Sequence, residues 1–241
     1  MRLDKWLSNS GFGSRKEVKQ LIKGGAVTIN GITVKDGKKQ AVPQADKVAV
    51  HGEEIVYREF IYLMMNKPDG VISATEDNFH ETVVDLIAEE YKQFDPFPVG
   101  RLDIDTEGLL LLTNDGQLSH SLLSPKKHVP KTYFAEISGA VTEEDVQSFA
   151  EGVELDDGYV TKPGILNILE VSDNESKITI TISEGKFHQV KRMFLAVGKK
   201  VEYLKRMKMG TLELDPSLQP GEYRELSEAE LEMLRSSGVS L

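Results

Sequence analysis

Asp103, Asp105 and Glu107 fall within five residues of one another, just after Arg101 and just before the apolar run Leu109-Leu110-Leu111-Leu112. Acids set against a segment that must be buried put a carboxylate at the mouth of a core, where one would be placed to do chemistry. Three other readings of this stretch compete. Asp103, Asp105, Glu107 and Gly108 match the early positions of an EF-hand, but that loop needs a bidentate Glu at its twelfth place, where Asn114 stands, and leucines fill positions that should hold ligands. A carboxylate pair also serves glycosidases, yet no sugar-binding aromatic cluster lies nearby. The third reading is a solvated acidic loop with no chemistry. Two further segments hold reactive side chains: Lys131-Thr132-Tyr133, whose tyrosine taken alone reads as core, and Glu184-Gly185-Lys186-Phe187-His188-Gln189-Val190-Lys191-Arg192, whose last two cations taken alone read as a solvated helix face.

Composition narrows the classes. The chain of 241 residues has 39% hydrophobic residues, enough for a packed core, and is long enough for one large domain or two modest ones. It has no cysteine, which excludes disulfides and thiolate zinc sites. The five histidines show no short metal-ligand spacing, so no metal is expected. Met1-Arg2-Leu3-Asp4-Lys5 lacks an apolar signal core, and the longest aliphatic run, Leu109 to Leu112, is far short of a membrane span. A cytoplasmic protein without a membrane partner is expected. The net charge of −10 argues against nucleic acid only as an average: residues 1–58 hold eleven Lys/Arg and six Asp/Glu, +5, and the other residues carry −15. A basic module on an acidic body points to a nucleic-acid-binding appendage.

The elements of the basic module follow from local signals. Ser14-Arg15-Lys16-Glu17 is a capping box that opens a helix, and Gly24-Gly25 stops it. Val18, Leu21 and Ile22 cluster on one side of that helix, and Arg15, Lys16, Lys19 and Lys23 on another. Four cations on one short helix repel one another, and phosphate is the natural counter-charge. Leu3, Trp6 and Leu7 are spaced for an earlier helix that packs on this one. Residues 27–34 read as two strands about the turn Asn30-Gly31, and a second strand pair follows through Lys47–Val50 and Ile55-Val56.

In the body, Ile61–Asn66 reads as a strand ended by Lys67-Pro68-Asp69-Gly70, and Thr82–Tyr91 as a helix. Strands are expected at Leu109–Leu112, Lys131–Ile137, Gly164–Val171, about Ile178-Ile180-Ile182, Val201–Met207 and Thr211–Leu214. Helices are expected at Gln117–Leu123, Thr142–Glu151, Phe187–Val197 and from Ser227 onward. The fold class is α+β: a small basic α/β domain over residues 1–58, then a larger domain over 59–241 built on a mixed, largely antiparallel sheet with flanking helices.

Gly100-Arg101-Leu102-Asp103 resembles the catalytic loop of the pseudouridine synthases, and the continuation through Thr106-Glu107-Gly108-Leu109-Leu110 and Thr113-Asn114-Asp115-Gly116 is similar to their small-ribosomal-subunit branch. Asn66-Lys67-Pro68-x-Gly70 resembles the family's opening motif, and residues 1–48 resemble the small RNA-binding domain first named from ribosomal protein S-four. The resemblance implies the pseudouridine synthase fold, with Asp103 as nucleophile, Tyr133 as the active-site tyrosine, and Lys191 as the cation paired with Asp103, Arg192 being the alternative one step away. It implies supporting places for Arg101, Arg192 and Leu204, with Tyr203 an alternative to Leu204. It puts RNA contacts on Arg2, Lys5, Ser14, Arg15, Lys16, Lys19 and Lys23.

The implied reaction breaks the N-glycosidic bond of a uridine, rotates the uracil and rejoins it through carbon five. No redox step or group donor is required, so no cofactor is expected. A carboxylate is charged at neutral pH without a partnering base, its reference pKa being ~3.9, and a nearby cation holds that form and its geometry. The expected substrate is 16S ribosomal RNA at the uridine conventionally numbered 516, met within a small-subunit assembly particle by a monomeric enzyme. A large-subunit (23S) enzyme of the same family and a catalytically silent RNA-binding assembly factor are the alternatives.

Overall fold

The computed structural model describes residues 1–43 and 45–236; the end of the expected catalytic domain, 237–241, lies outside the described residues. The chain falls into two compact units, Met1–Ile61 with Ala88–Asp95, and Tyr62–Ile87 with Pro96–Leu241. The boundary expected from sequence is 58/59. Residues 51–60 have no linker composition to mark it more sharply.

The first unit opens with α1 (Leu3–Asn9) and α2 (Arg15–Lys23), followed by β1 (Val27–Ile29), β2 (Ile32–Thr33), β3 (Val48–Val50) and β4 (Glu53–Ile55). The strands form an antiparallel sheet in the order β2-β1-β3-β4. The expected capping box is present: the Ser14 hydroxyl accepts from the Glu17 amide, and the Glu17 carboxylate accepts from the Ser14 amide at 2.7 Å. Asn30 and Gly31 both take positive φ, 51° and 77°, as a two-residue hairpin turn requires. Leu3, Trp6 and Leu7 of α1 pack with Val18 and Ile22 of α2 and with Val27, Val48 and Val50 of the sheet.

Among the described residues the second unit is built on nine strands: β5 (Tyr62–Lys67), β6 (Phe97–Pro98), β7 (Glu107–Thr113), β8 (Lys131–Ser138), β9 (Ile165–Val171), β10 (Glu175–Ile182), β11 (Lys200–Met209), β12 (Leu212–Glu213) and β13 (Tyr223–Glu225). Their order is β13-β5-β7-β11-β8-β10-β9, with β12 on β11 and β6 on β7. Every pairing is antiparallel except β7 with β11, so the sheet is mixed and largely antiparallel. The helices are α3 (Glu89–Lys92, which belongs to the first unit), α4 (Gly116–Leu123), α5 (Glu143–Glu151), α6 (Gln189–Ala196) and α7 (Glu228–Ser236). Leu109, Leu111, Leu118, Leu122, Met209, Leu231 and Leu234 join in one core cluster, so one side of the sheet is closed by α4 and α7. α5 packs against β9 and α6 against β11, and their Phe149 and Phe194 rings meet at 4.9 Å between centroids.

The helix expected at Thr82–Tyr91 is not formed. Thr82 instead bridges to Ile72, and its amide and hydroxyl both donate to Asp85, each at 2.8 Å, so the chain turns locally and only Glu89–Lys92 is helical. The capping pattern is real, but no helix follows it: Val83 and Ile87 are buried in non-helical backbone. β6 and β13 are additions to the expected strands. Both are short, and β13 is an edge strand of Tyr-Arg-Glu whose pairing is set by β5 rather than by an apolar alternation of its own.

Register lines up one row across the second sheet: Lys67 opposite Gly108, Gly108 beside Arg206, Arg206 opposite Tyr133, Tyr133 opposite Ile180, and Ile180 opposite Leu166. Gly108 makes this row possible. Its φ is +102°, and a Cβ there would sit 2.3 Å from the Arg206 carbonyl oxygen, so only glycine lets β7 and β11 approach in parallel.

Candidate active site

The acidic loop enters β7 from the end of the row where Lys67 sits, and a set of hydrogen bonds holds it there. The Ser73 hydroxyl donates to the Leu102 carbonyl and accepts from the Leu102 amide, both at 3.0 Å. The Thr106 amide donates to the Asp103 carbonyl at 3.1 Å, closing a tight turn about Ile104-Asp105. Beneath the turn the buried Lys67 ammonium donates to the carbonyls of Pro68 (2.9 Å), Ile104 (3.1 Å) and Thr106 (2.9 Å). Burial pushes the Lys67 ammonium down to about 8, and the carboxylates of Asp69, Asp105, Asp103 and Glu107 pull the other way. A charged lysine is kept inside because three carbonyls and a ring of acids replace its water.

Asp103 is left half-buried, its side chain 29% exposed. The Lys191 ammonium lies 3.5 Å from Asp103 Oδ2 and 2.5 Å from Asp105 Oδ1, so one cation serves two carboxylates. On the other oxygen, His188 Nε2 lies 3.6 Å from Asp103 Oδ1. The hydrogen bond from Lys191 holds the Asp105 carboxyl below the usual carboxylate range, against a smaller opposing effect of burial. Lys191 is on the first turn of α6, and the loop before α6 is locked in its turn. Glu184 accepts from the Tyr159 hydroxyl (2.7 Å), the Lys162 amide (3.1 Å) and Gln189 Nε2 (2.7 Å), while Gln189 Oε1 accepts from the Lys186 amide (2.9 Å).

Arg192 is turned to a different pair of acids. Its Nε donates to Asp156 at 2.6 Å and its Nη2 lies 2.8 Å from Asp157, hydrogen bonds that raise its pKa. Adjacent helical residues point ~100° apart, so only one of the two can face Asp103, and in this fold it is Lys191. Tyr133 and Leu204 are buried side chains on the β8/β11 pair, where Leu204 is opposite Ala135 and Arg206 opposite Tyr133. Strands lie ~4.8 Å apart, so Tyr133 is about 10 Å across the sheet from Gly108, with the buried Arg206 between them. Tyr203, the alternative to Leu204, donates instead to Glu107 at 2.7 Å. Arg101 is exposed on the approach to the loop.

The expected RNA-contact residues Arg15, Lys16, Lys19 and Lys23 lie exposed on α2, and Lys5 is exposed on α1. Two others are engaged elsewhere: Arg2 pairs with Asp4 at 2.6 Å, and the Ser14 hydroxyl is spent on the α2 cap. Among the described residues, no three His, Cys, Asp or Glu side chains gather in a way that could hold a metal ion, and no helix is long and apolar enough to cross a membrane. Lys67, Ser73, His188, Glu184 and Gln189 join the site without being candidates from sequence. Lys67 carries a signal, the Asn-Lys-Pro-x-Gly wording, but by local pattern that wording indicates only a turn.

A half-buried carboxylate between an ammonium and an imidazole can attack, or accept a proton from, a group brought to it. Residues 61–196 match the RNA pseudouridylate synthase family, and residues 1–45 match the S4 domain. A Bacillus subtilis (strain 168) protein described as an uncharacterized RNA pseudouridine synthase is 58% identical over 97% of this chain and 98% of its own. The ribosomal small subunit pseudouridine synthase A of Escherichia coli (strain K12) is 40% identical over 96% of this chain and 98% of its own. A crystal structure of a pseudouridylate synthase superposes with a TM-score of 0.68 at 39% identity, covering 97% of this chain and 99% of that one.

Proposed function

The chain belongs to the RNA pseudouridylate synthase family, and from that premise we propose that it converts one uridine of 16S ribosomal RNA, the position numbered 516, to pseudouridine. The observation that carries the reading is the Asp103 carboxylate 3.5 Å from the Lys191 ammonium, on a loop anchored beside the Tyr133 row. The choice of the small subunit rests on relatives from Escherichia coli and Vibrio cholerae, both named for it, which align over nearly their whole length.

In this reading Asp103 is the nucleophile, and Lys191 and His188 flank its two oxygens and aim it. Tyr133 supports the uracil ring, with Leu204 packing beside it. The N1–C1′ bond breaks, the base turns, and a C5–C1′ bond forms. Carbon five gives up a proton and N1 gains one, so the reaction is an isomerisation that needs no cofactor. The target must leave its stack to reach Asp103, at a cost of roughly a few kcal/mol. The cations Lys5, Arg15, Lys16, Lys19 and Lys23 of the first unit offset part of that cost through phosphate contacts. The enzyme is read as a cytoplasmic monomer acting on an assembling small subunit.

Pseudouridine mapping of ribosomal RNA from cells with and without the protein tests the reading. Loss of one 16S position, restored by the wild type but not by Asp103→Asn, is the expected result. A missing 23S position would move the substrate to the large subunit. An unchanged map, with Asp103→Asn as competent as wild type in subunit assembly, would leave a silent assembly factor.

A further inference from the structure

Phe187 is 75% exposed, an unusual state for a large aromatic ring this close to a reaction centre. One of its faces is already covered: the ring stacks on His188 with centroids 3.8 Å apart and planes 17° from parallel. His188 is the same residue whose Nε2 lies 3.6 Å from Asp103. The pair is held outward by backbone. His188 takes φ +49°, a left-handed conformation uncommon for a residue with a side chain, and the Phe187 carbonyl accepts from Arg192 at 3.5 Å. With Glu184 and Gln189 locking the preceding loop, the chain presents Phe187 to solvent rather than letting it fold inward.

The surroundings say what could cover the open face. The residues that flank it in the chain are charged or polar: Lys186, His188, Lys191 and Arg192, the last two paired with Asp105 and Asp156. An aliphatic partner would have to desolvate these charges, whereas a flat aromatic with a polar edge and an anionic backbone would not. A uridine everted to Asp103 leaves its neighbours in the strand without one stacking partner, and Phe187 is separated from Asp103 only by the His188 ring. We propose that the open face of Phe187, backed by His188, is a stacking platform for an unpaired nucleobase that flanks the target uridine. This rests on the reading of Asp103 as the site of uridine chemistry. It adds a substrate-binding residue that positions the strand on either side of the reacting nucleotide.

The test measures binding without turnover. In the Asp103→Asn background, Phe187→Ala, Phe187→Leu and Phe187→Trp are titrated with a transcript of the 16S region around the target, carrying 2-aminopurine at the flanking nucleotide. Stacking on an aromatic is worth roughly 5- to 150-fold in affinity per base, so Phe187→Ala should bind that much more weakly and lose the 2-aminopurine quenching, with its melting temperature unchanged because the ring is exposed. Phe187→Trp should restore both readouts and Phe187→Leu neither. Equal affinity of the Ala and Trp variants overturns the proposal, and rescue by Leu equal to that by Trp replaces it with a general apolar contact. Pseudouridine formation by the otherwise wild-type protein on the unlabelled transcript is the separate readout of the underlying reading. Its absence, with the order Trp above Leu and Ala intact, would remove the assigned chemistry and leave the platform.

Discussion

Replacing Lys67 by Met should damage catalysis far more than stability. The ammonium donates to three carbonyls, two of which, Ile104 and Thr106, bracket Asp105 in the loop that presents Asp103. Methionine keeps most of the apolar stem and removes the charge. Ile104 retains the Gly70 amide as a donor at 3.0 Å, so the Pro68 and Thr106 carbonyls bear the loss. The Thr106 carbonyl is buried and the Pro68 carbonyl partly so, and stripping both of a partner costs roughly 1–3 kcal/mol for the first and less for the second, at most about 6 kcal/mol together. Against this, holding a lysine at about 8 instead of 10.5 costs about 3 kcal/mol at neutral pH, and the variant is relieved of it. The balance is a change of at most about 3 kcal/mol, or roughly 6–12 °C in Tm for a chain of this size. The loop, however, loses its common anchor, and a displacement of ~1 Å at a reacting group costs on the order of 100-fold in rate.

The expected outcome is therefore kcat down about 100-fold with KM little changed, measured by tritium release or mapping on an RNA transcript. The pH dependence gives a second handle. Because the folded state holds Lys67 at about 8, below its unfolded value, both states are protonated below pH 8 and the burial cost is then complete. Between pH 8 and about 10.5 the unfolded state binds more protons, so stability from this group rises with pH. Denaturant unfolding of wild type and Lys67→Met at both ends of that window, where other groups cancel in the difference, should show wild type gaining up to about 3 kcal/mol on the variant. A flat difference, or a variant with kcat within threefold of wild type, refutes the anchor.

Three other outcomes follow from the geometry. Lys191→Met should lower kcat by about 100- to 1000-fold, the size of a removed electrostatic partner at a reacting group, while Arg192→Met stays within about threefold in the same single-turnover assay. Gly108→Ala should destabilise by about 3–5 kcal/mol by chemical denaturation, from a positive φ and a Cβ driven into the Arg206 backbone. Lys16→Gln with Lys19→Gln should weaken RNA binding and flatten the plot of log affinity against log salt by roughly 0.7–0.9 for each phosphate no longer neutralised, with kcat at saturation unchanged.

Much of this architecture is legible in local signals. The α2 cap, the Asn30-Gly31 hairpin and the alternation Ile178-Ile180-Ile182 each encode their own geometry within a few residues, and each forms where the pattern puts it. The failures share a cause. Thr82–Tyr91 has a helix-opening pattern, but the chain after Thr82 answers to a bridge with Ile72 that lies outside any local window. β13 carries no apolar period because an edge strand needs only a neighbour, and that neighbour, β5, is distant in sequence.

At the site the division is similar. Residue types and motif wording marked out Asp103, Tyr133 and the Lys191-Arg192 pair, and the charge split between residues 1–58 and the rest marked the RNA-binding end. Two adjacent cations on a helix look alike in sequence, and only the rotation of α6 against β11 decides which one meets Asp103 and which goes to Asp156. Lys67 reads as part of a turn because its partners are backbone carbonyls, groups every residue possesses and no sequence pattern displays. Chain chemistry determined which groups were available; packing determined which of them touch, because contact depends on how separate elements are turned and stacked, and no stretch of sequence contains that by itself.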